Sequence, residues 1–234
     1  MKAGEQELFR IKVCGITSQA DAEMSVKAGA DAIGLNFYPP SPRYVTPQVA
    51  RDITATLPTT VARVGVFVNS SLEEVFDVQK AVDLDWIQLH GDELPQFVKE
   101  LVDAFHETIP TARTPRILRA FRCRDDGLQP VRDYLDRCAK LGTPLPAVLI
   151  DSYSSEAYGG TGHCVDWGTV ARREESIGSV PTILAGGLTP ENIREAIEVS
   201  HAWGVDVASG VEAEPGVKSL AKVESFVQSA AQAL

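Results

Sequence analysis

Two side chains stand where proton-transfer chemistry is possible. Cys14 lies in Lys12-Val13-Cys14-Gly15-Ile16-Thr17, at the end of the first apolar run and just before a helix expected to begin at Ser18. A glycine directly after the thiol lets the backbone swing away and leaves the sulfur facing whatever lies above the strand. Asp151 closes a similar run, Ala147-Val148-Leu149-Ile150. A carboxyl at the end of an apolar strand is costly to desolvate, so it is either a capped turn residue or a working group. Apolar walls push a carboxyl's pKa up towards that of a general acid near neutral pH. A thiol starts near ~8.5 and must come down to act as a base. Facing each other, the two supply one donor and one acceptor. The plain alternative for Cys14 is a small buried hydrophobe.

The rest of the chain reads as the frame that brings them together. Short apolar runs at 9–14, 32–37, 64–68, 85–89, 117–121, 147–150, 182–185 and 205–208 alternate with helix-like stretches. Roughly eight such runs, mostly continuous rather than alternating, are the pattern of parallel strands covered by helices, that is, a single α/β domain built as a (β/α)8 TIM barrel. Thr46-Pro47 and Thr189-Pro190 each place a cap before a first-turn proline. Ser70 or Ser71 caps the stretch holding Leu72, Val75, Phe76 and Gln79. A last helix is expected over 217–234, with Leu220, Val223, Phe226 and Val227 on one face. One domain over 1–234 is expected, with a short polar N-terminal extension at 1–8. A surface insertion near 106–116 has two prolines and no periodicity.

In such barrels the site lies at the C-terminal ends of the strands. Besides Cys14 and Asp151, those ends offer Arg43 behind Pro39-Pro40-Ser41-Pro42, Asn69, Gln88, His90 and Arg122. Gly159-Gly160-Thr161-Gly162 follows the sixth strand, Gly186-Gly187 the seventh and Ser209-Gly210 the eighth. Glycine turns at the last two ends point to phosphate, since backbone N–H groups and a following helix can hold an anion there; the alternative is a pair of tight turns. The prolines restrict the loop that carries Arg43 and could pre-position its guanidinium for a carboxylate; the alternative is a solvated arginine. His90 is either a site residue or a satisfied structural histidine. Asp206, inside the eighth strand, either orients a site group or pairs within the barrel. Cys123, Cys138 and Cys164 read as inert.

The chain has 234 residues and a formal net charge of −10. That makes nucleic acid a poor partner but leaves a small anionic substrate possible. No apolar run reaches the ~18 residues needed to span a membrane, and residues 1–10 are unlike a secretory signal. Four scattered cysteines suit a reducing compartment, and a cytoplasmic location is expected.

Taken in order, several stretches resemble the phosphoribosylanthranilate isomerase family. These are Lys-Val-Cys-Gly-Ile-Thr (12–17), Gly-Ala-Asp-Ala-Ile-Gly (29–34), Phe-Tyr-Pro-Pro-Ser-Pro-Arg-Tyr-Val (37–45), Val-Gly-Val-Phe-Val-Asn (64–69), Gln-Leu-His-Gly-Asp-Glu (88–93), Gly-Gly-Thr-Gly (159–162), Ala-Gly-Gly-Leu (185–188) and Ser-Gly-Val-Glu (209–212). The resemblance implies an aldose–ketose isomerase of tryptophan biosynthesis, an intramolecular oxidoreductase. It would carry out an Amadori rearrangement of N-(5-phosphoribosyl)anthranilate to 1-(2-carboxyphenylamino)-1-deoxyribulose 5-phosphate. It implies Asp151 as general acid and Cys14 as general base. Arg43, His90 and Asp206 would bind substrate, and Gly186, Gly187, Ser209 and Gly210 would bind phosphate. It implies no metal or other cofactor, because the substrate's own nitrogen is the electron sink. A monomer or a homodimer is expected. The chain departs from the family pattern at His163, where lysine is frequent, at Asn36 in a usually apolar strand, and at Ala208, where serine is common. The loop 152–158 and the insertion at 106–116 look longer than family cores. The rival enzymes are the histidine-pathway isomerase, which has an acid where Cys14 stands, and a metal-dependent phosphosugar epimerase. A phosphate-ligand binder without turnover is the rival from another class.

Overall fold

The computed structural model describes residues 8–108, 114–122, 127–151 and 167–234. Eight parallel strands close into a barrel in sequence order. They are β1 (Ile11–Cys14), β2 (Ala32–Asn36), β3 (Ala62–Phe67), β4 (Trp86–Leu89), β5 (Arg116–Arg122), β6 (Val148–Asp151), β7 (Thr182–Ala185) and β8 (Gly204–Val207). Around them lie α1 (Gln19–Ala28), α2 (Pro47–Thr54), α3 (Leu72–Val82), α4 (Pro95–Thr108), α5 (Gln129–Lys140), α6 (Trp167–Ala171), α7 (Arg173–Ile177), α8 (Ile193–Ser200) and α9 (Leu220–Ala233). The barrel expected from the apolar runs is the one observed. No helix among the described residues is long and apolar enough to cross a membrane.

Alternation along the strands sorts their side chains into two cores. Outward residues such as Val13, Ile33, Leu35, Ile87, Ile150 and Val205 pack under the helices. Inward residues form a separate cluster of Phe9, Ala32, Val64, Trp86, Leu118, Leu149 and Ile183 at the floor of the barrel, where the Phe9 and Trp86 rings meet edge to face at 5.7 Å. Continuing upward by twos from these floor positions leads to Gly34 and Asn36, Val66, Gln88 and Asp151. On β1 the same inward face carries Lys12 and Cys14, so polar chemistry replaces packing at the upper layers.

Side-chain caps explain the starts of the first three helices. Ser18, Thr46 and Ser71 accept from the N–H groups of Asp21, Val49 and Glu74, and Ser71 with Glu74 completes a capping box. The second Thr-Pro pair behaves differently. Asn192 Oδ1 accepts from Thr189 N–H and its amide donates to Gly187 O, so residues 189–192 form a turn and α8 begins at Ile193. The helix expected over 217–234 also starts late, at Leu220. Val217–Lys218 (β10) instead pairs antiparallel with Glu212–Glu214 (β9), a small hairpin over the rim. Leu220 is consequently exposed, while Val223, Phe226 and Val227 are buried. Of the stretch 106–116, residues through Thr108 belong to α4 and Arg116 opens β5, while 109–113 lie outside the described residues. Leu8 packs against the floor cluster and so does not belong to a polar extension. β8 begins one residue early because Gly204 passes close under the chain entering β1; a Cβ there would lie 2.7 Å from Arg10 O.

Candidate active site

One cavity of about 330 Å³ opens at the C-terminal ends of the strands. Cys14, Arg43, His90, Asp151, Asp206, Gly186, Gly187, Ser209 and Gly210 all line it, together with Asn36, Val66, Gln88 and others. The nine residues given roles by the resemblance therefore meet in one place, whereas Asn69 and Arg122, also offered at strand ends, do not line it. Residues 159–163, the loop 152–158, Cys123 and Cys164 lie outside the described residues.

Cys14 ends β1 opposite Gly34 on β2. Gly34 has to be glycine: a Cβ there would lie 2.6 Å from Cys14 Sγ and 3.0 Å from Lys12 Cε. The thiol was expected to need a lowered pKa. Instead, burial pushes it up, against the pull of Lys12, with Asp206 adding to the rise. Near neutral pH Cys14 is therefore a thiol rather than a thiolate. Below it, Lys12 is wholly buried and donates to Asp206 Oδ2 at 2.9 Å, across the β1–β8 seam where the two residues are partners in register. Burial pulls the Lys12 pKa down, but Asp206 and Cys14 outweigh it and the ammonium stays charged. Asp206 thus pairs within the barrel and also faces the site, the two roles the sequence left open. Its Oδ1 is buried and has no hydrogen-bond partner among the described residues.

Across the cavity, His90 Nε2 lies 3.4 Å from Asp151 Oδ2. Gln88 Nε2 is 3.0 Å from His90 Nδ1; with the amide donating, the imidazole proton sits on Nε2 and faces the carboxylate. The loop carrying His90 is itself fixed. Glu93 accepts from the N–H groups of Asn69 and Gly91, and Arg119 donates to the carbonyls of Leu89 and Gly91.

Arg43 meets a carboxylate of this chain. Its Nε and Nη2 donate to the two oxygens of Glu212 at 2.7 Å each, and Lys218 Nζ donates to the same group at 3.0 Å. The loop that carries the arginine is pinned by Asn36, whose Oδ1 accepts from Tyr38 N–H and whose amide reaches Ser41 Oγ, while Glu212 holds the guanidinium itself. Gly15, at φ +73°, clears the way, because a Cβ there would sit 2.4 Å from Arg43 Cδ. Two of its five N–H donors are spent on Glu212, leaving three for a ligand.

The glycine turns combine both roles weighed for them. Gly186 and Gly187 have φ of +89° and +64°, which side chains resist. Gly210 is needed for closeness instead: a Cβ would lie 1.8 Å from Leu188 O, so the turns after β7 and β8 touch. The N–H groups of Gly187, Ser209 and Gly210 have no backbone acceptor among the described residues.

Lys12, Glu212 and Lys218 carry no role from the sequence, although Lys12 and Glu212 lie in the quoted motifs. A lysine inside an apolar strand, two residues before the cysteine, was the available signal.

The model of the family described as N-(5'phosphoribosyl)anthranilate (PRA) isomerase matches residues 11–229. The chain belongs to this family. N-(5'-phosphoribosyl)anthranilate isomerase of Geobacter metallireducens is 43% identical over 224 residues, covering 95% of this chain and 99% of that protein. Phosphoribosyl anthranilate isomerase from Thermotoga maritima superposes with a TM-score of 0.80 at 36% identity, covering 96% of this chain and all of that one. A phosphoribosyl anthranilate isomerase in complex with reduced 1-(o-carboxyphenylamino)-1-deoxyribulose 5-phosphate superposes with a TM-score of 0.78 at 34% identity over the same shares. In this isomerase family the cavity above the barrel floor is thus the place to look for catalysis.

Proposed function

We propose that Asp151 and Cys14 are the general acid and general base of this isomerase. The activity follows from the family: the chain isomerises N-(5'-phosphoribosyl)anthranilate in tryptophan biosynthesis. What supports the residue roles is that a thiol and a carboxyl from β1 and β6 line one cavity with the two glycine turns.

Asp151 gives its proton to the furanose ring oxygen. The C1′–O bond breaks, its electron pair stays on oxygen, and the nitrogen lone pair forms the C1′=N⁺ iminium. Cys14 gives up its own thiol proton to solvent as the iminium forms, and the thiolate sulfur then takes the C2′ proton, restoring the thiol. The C–H electrons form C1′=C2′ and the iminium pair returns to nitrogen, giving an enolamine. Loss of the enol O–H proton and gain of one at C1′ give the ketone. Product and substrate are isomers, so the oxidation at C2′ and reduction at C1′ cancel within one molecule, and the enzyme is an isomerase rather than an oxidoreductase. The iminium resolves the difficulty of a neutral thiol at rest: a positive charge arriving next to Cys14 favours the thiolate when the base is needed. His90, with its proton towards Asp151, orients the acid. Arg43 offers its remaining donors to the anthranilate carboxylate, Asp206 binds within the same pocket, and Gly186, Gly187, Ser209 and Gly210 hold the phosphate. A monomer or homodimer acting on a small molecule fits this scheme.

Anthranilate fluorescence of freshly made substrate follows turnover. Cys14→Ser and Asp151→Asn are each expected to lower kcat by about 10²–10⁴-fold with little change in substrate affinity. Wild-type turnover in both variants would overturn the assignment.

A further inference from the structure

Among the buried charges to which the reaction gives no task, Lys12 lies next to the base. Lys12 has no exposed surface, and it shares the inward face of β1 with Cys14, two residues on. The site is built around that closeness. Gly34, the partner of Cys14 on β2, leaves a space bordered by both Cys14 Sγ and Lys12 Cε, 2.6 and 3.0 Å from where a Cβ would sit. A lysine wholly removed from water is weak evidence of a stability role, since an apolar residue of similar length commonly does as well or better. Asp206 secures it from β8 at 2.9 Å and keeps it protonated. The other charged groups facing the thiol are Asp206 itself, Lys218 on β10 and Arg43 in the loop after β2. The last two are engaged with Glu212. Across the cavity stand His90 and Asp151. Of the cations, Lys12 pulls hardest towards the thiolate.

We propose that Lys12, clamped by Asp206, is the positioning residue that lets Cys14 carry negative charge when it removes the C2′ proton. The proposal rests on the assignment of Cys14 as the base. It gives the Lys12–Asp206 pair a division of labour: the carboxylate keeps the lysine charged, and the lysine holds the thiolate.

The test reads the thiol directly. The full chain, without substrate, is alkylated with iodoacetamide across a pH series, and modification of the Cys14 peptide is followed by mass spectrometry. Lys12→Gln keeps a hydrogen-bond donor for Asp206 and removes the charge. Its alkylation midpoint is expected to move up by roughly 1–3 pH units, with alkylation below the midpoint slowed about tenfold per unit. The pH dependence of kcat should move the same way while KM holds. Lys12→Gln/Asp206→Asn carries neither charge, so it also decides the matter if the single variant does not fold. There a smaller upward shift is expected, because the lysine's pull exceeds the carboxylate's push. A midpoint at the wild-type value in both variants overturns the proposal. Failure of the base assignment itself reads differently: Cys14→Ser then keeps its turnover whatever the alkylation midpoint does.

Discussion

Replacing Glu212 by Gln keeps the side chain's shape and leaves two cations on one neutral amide. Arg43 and Lys218 hold the carboxylate at 2.7 and 3.0 Å; the side chains are 23% exposed for Arg43, 5% for Glu212 and 0% for Lys218. Removing one member of a buried ion pair costs about 3–5 kcal/mol, because the partner is left uncompensated. Lys218 has a way to limit that loss. Burial already lowers its pKa, so without Glu212 it can shed its proton. A loss near the lower end, about 3 kcal/mol, is therefore expected in urea unfolding at pH 7. The pH dependence supplies a second reading. Burial pushes the Glu212 carboxyl up, but Arg43 and Lys218 together outweigh it and hold the pKa below the ordinary value. A depressed folded pKa contributes stability above the unfolded pKa of about 4.3, and that stability is lost as pH falls through the folded value. The gap between wild type and Glu212→Gln should therefore be full at neutral pH and close in acid below about pH 4. A loss under about 1 kcal/mol at pH 7, the range of an exposed pair, or a gap that persists in acid, would refute the clamp.

Three further substitutions probe the rim. Gly34→Ala puts a methyl 2.6 Å from Cys14 Sγ. It should cost about 1–3 kcal/mol in unfolding experiments and, by displacing the thiol, about 10²-fold in kcat, so wild-type kcat would count against the placement of Cys14. Gly210→Ala forces the turn after β8 away from Leu188 O. Competitive inhibition by inorganic phosphate should weaken about tenfold, the loss of one hydrogen bond's worth of binding, and an unchanged inhibition constant would move the anion site elsewhere. His90→Gln removes the Nε2 contact to Asp151. Steady-state kinetics should show kcat down about tenfold with KM little changed, and an equal loss of affinity would make His90 a binding residue instead.

The barrel was legible because its strands are short apolar runs between helix-like stretches, and the site was legible because strand ends and family motifs carry its residues, with Asp151 and Asp206 standing out as acids in apolar strands. What the sequence hid was contact across the rim. Nothing local says that Arg43 meets Glu212, 169 positions away, or that Lys12 meets Asp206, 194 away. Closure of the barrel creates both pairs. The direction of the Cys14 pKa was hidden for the same reason: burial in the closed barrel, with Asp206 from the eighth strand, outweighs the pull of Lys12 in its own segment. Thr189-Pro190 misled because Asn192 takes over the capping position. Val217 and Lys218 looked helical until β9 provided a partner strand.

The Lys12–Asp206 pair joins the first strand to the eighth, the last join in the cylinder. A chain that has assembled only seven strands already owns most of its oily floor, and nothing in that floor distinguishes an open sheet from a finished ring. The bare ammonium on strand one does. Every incomplete assembly must either leave that group wet, and the floor with it, or bury it alone at heavy expense. Burial of the Lys12 charge with a partner is thus conditional on the eighth strand being in place beside the first.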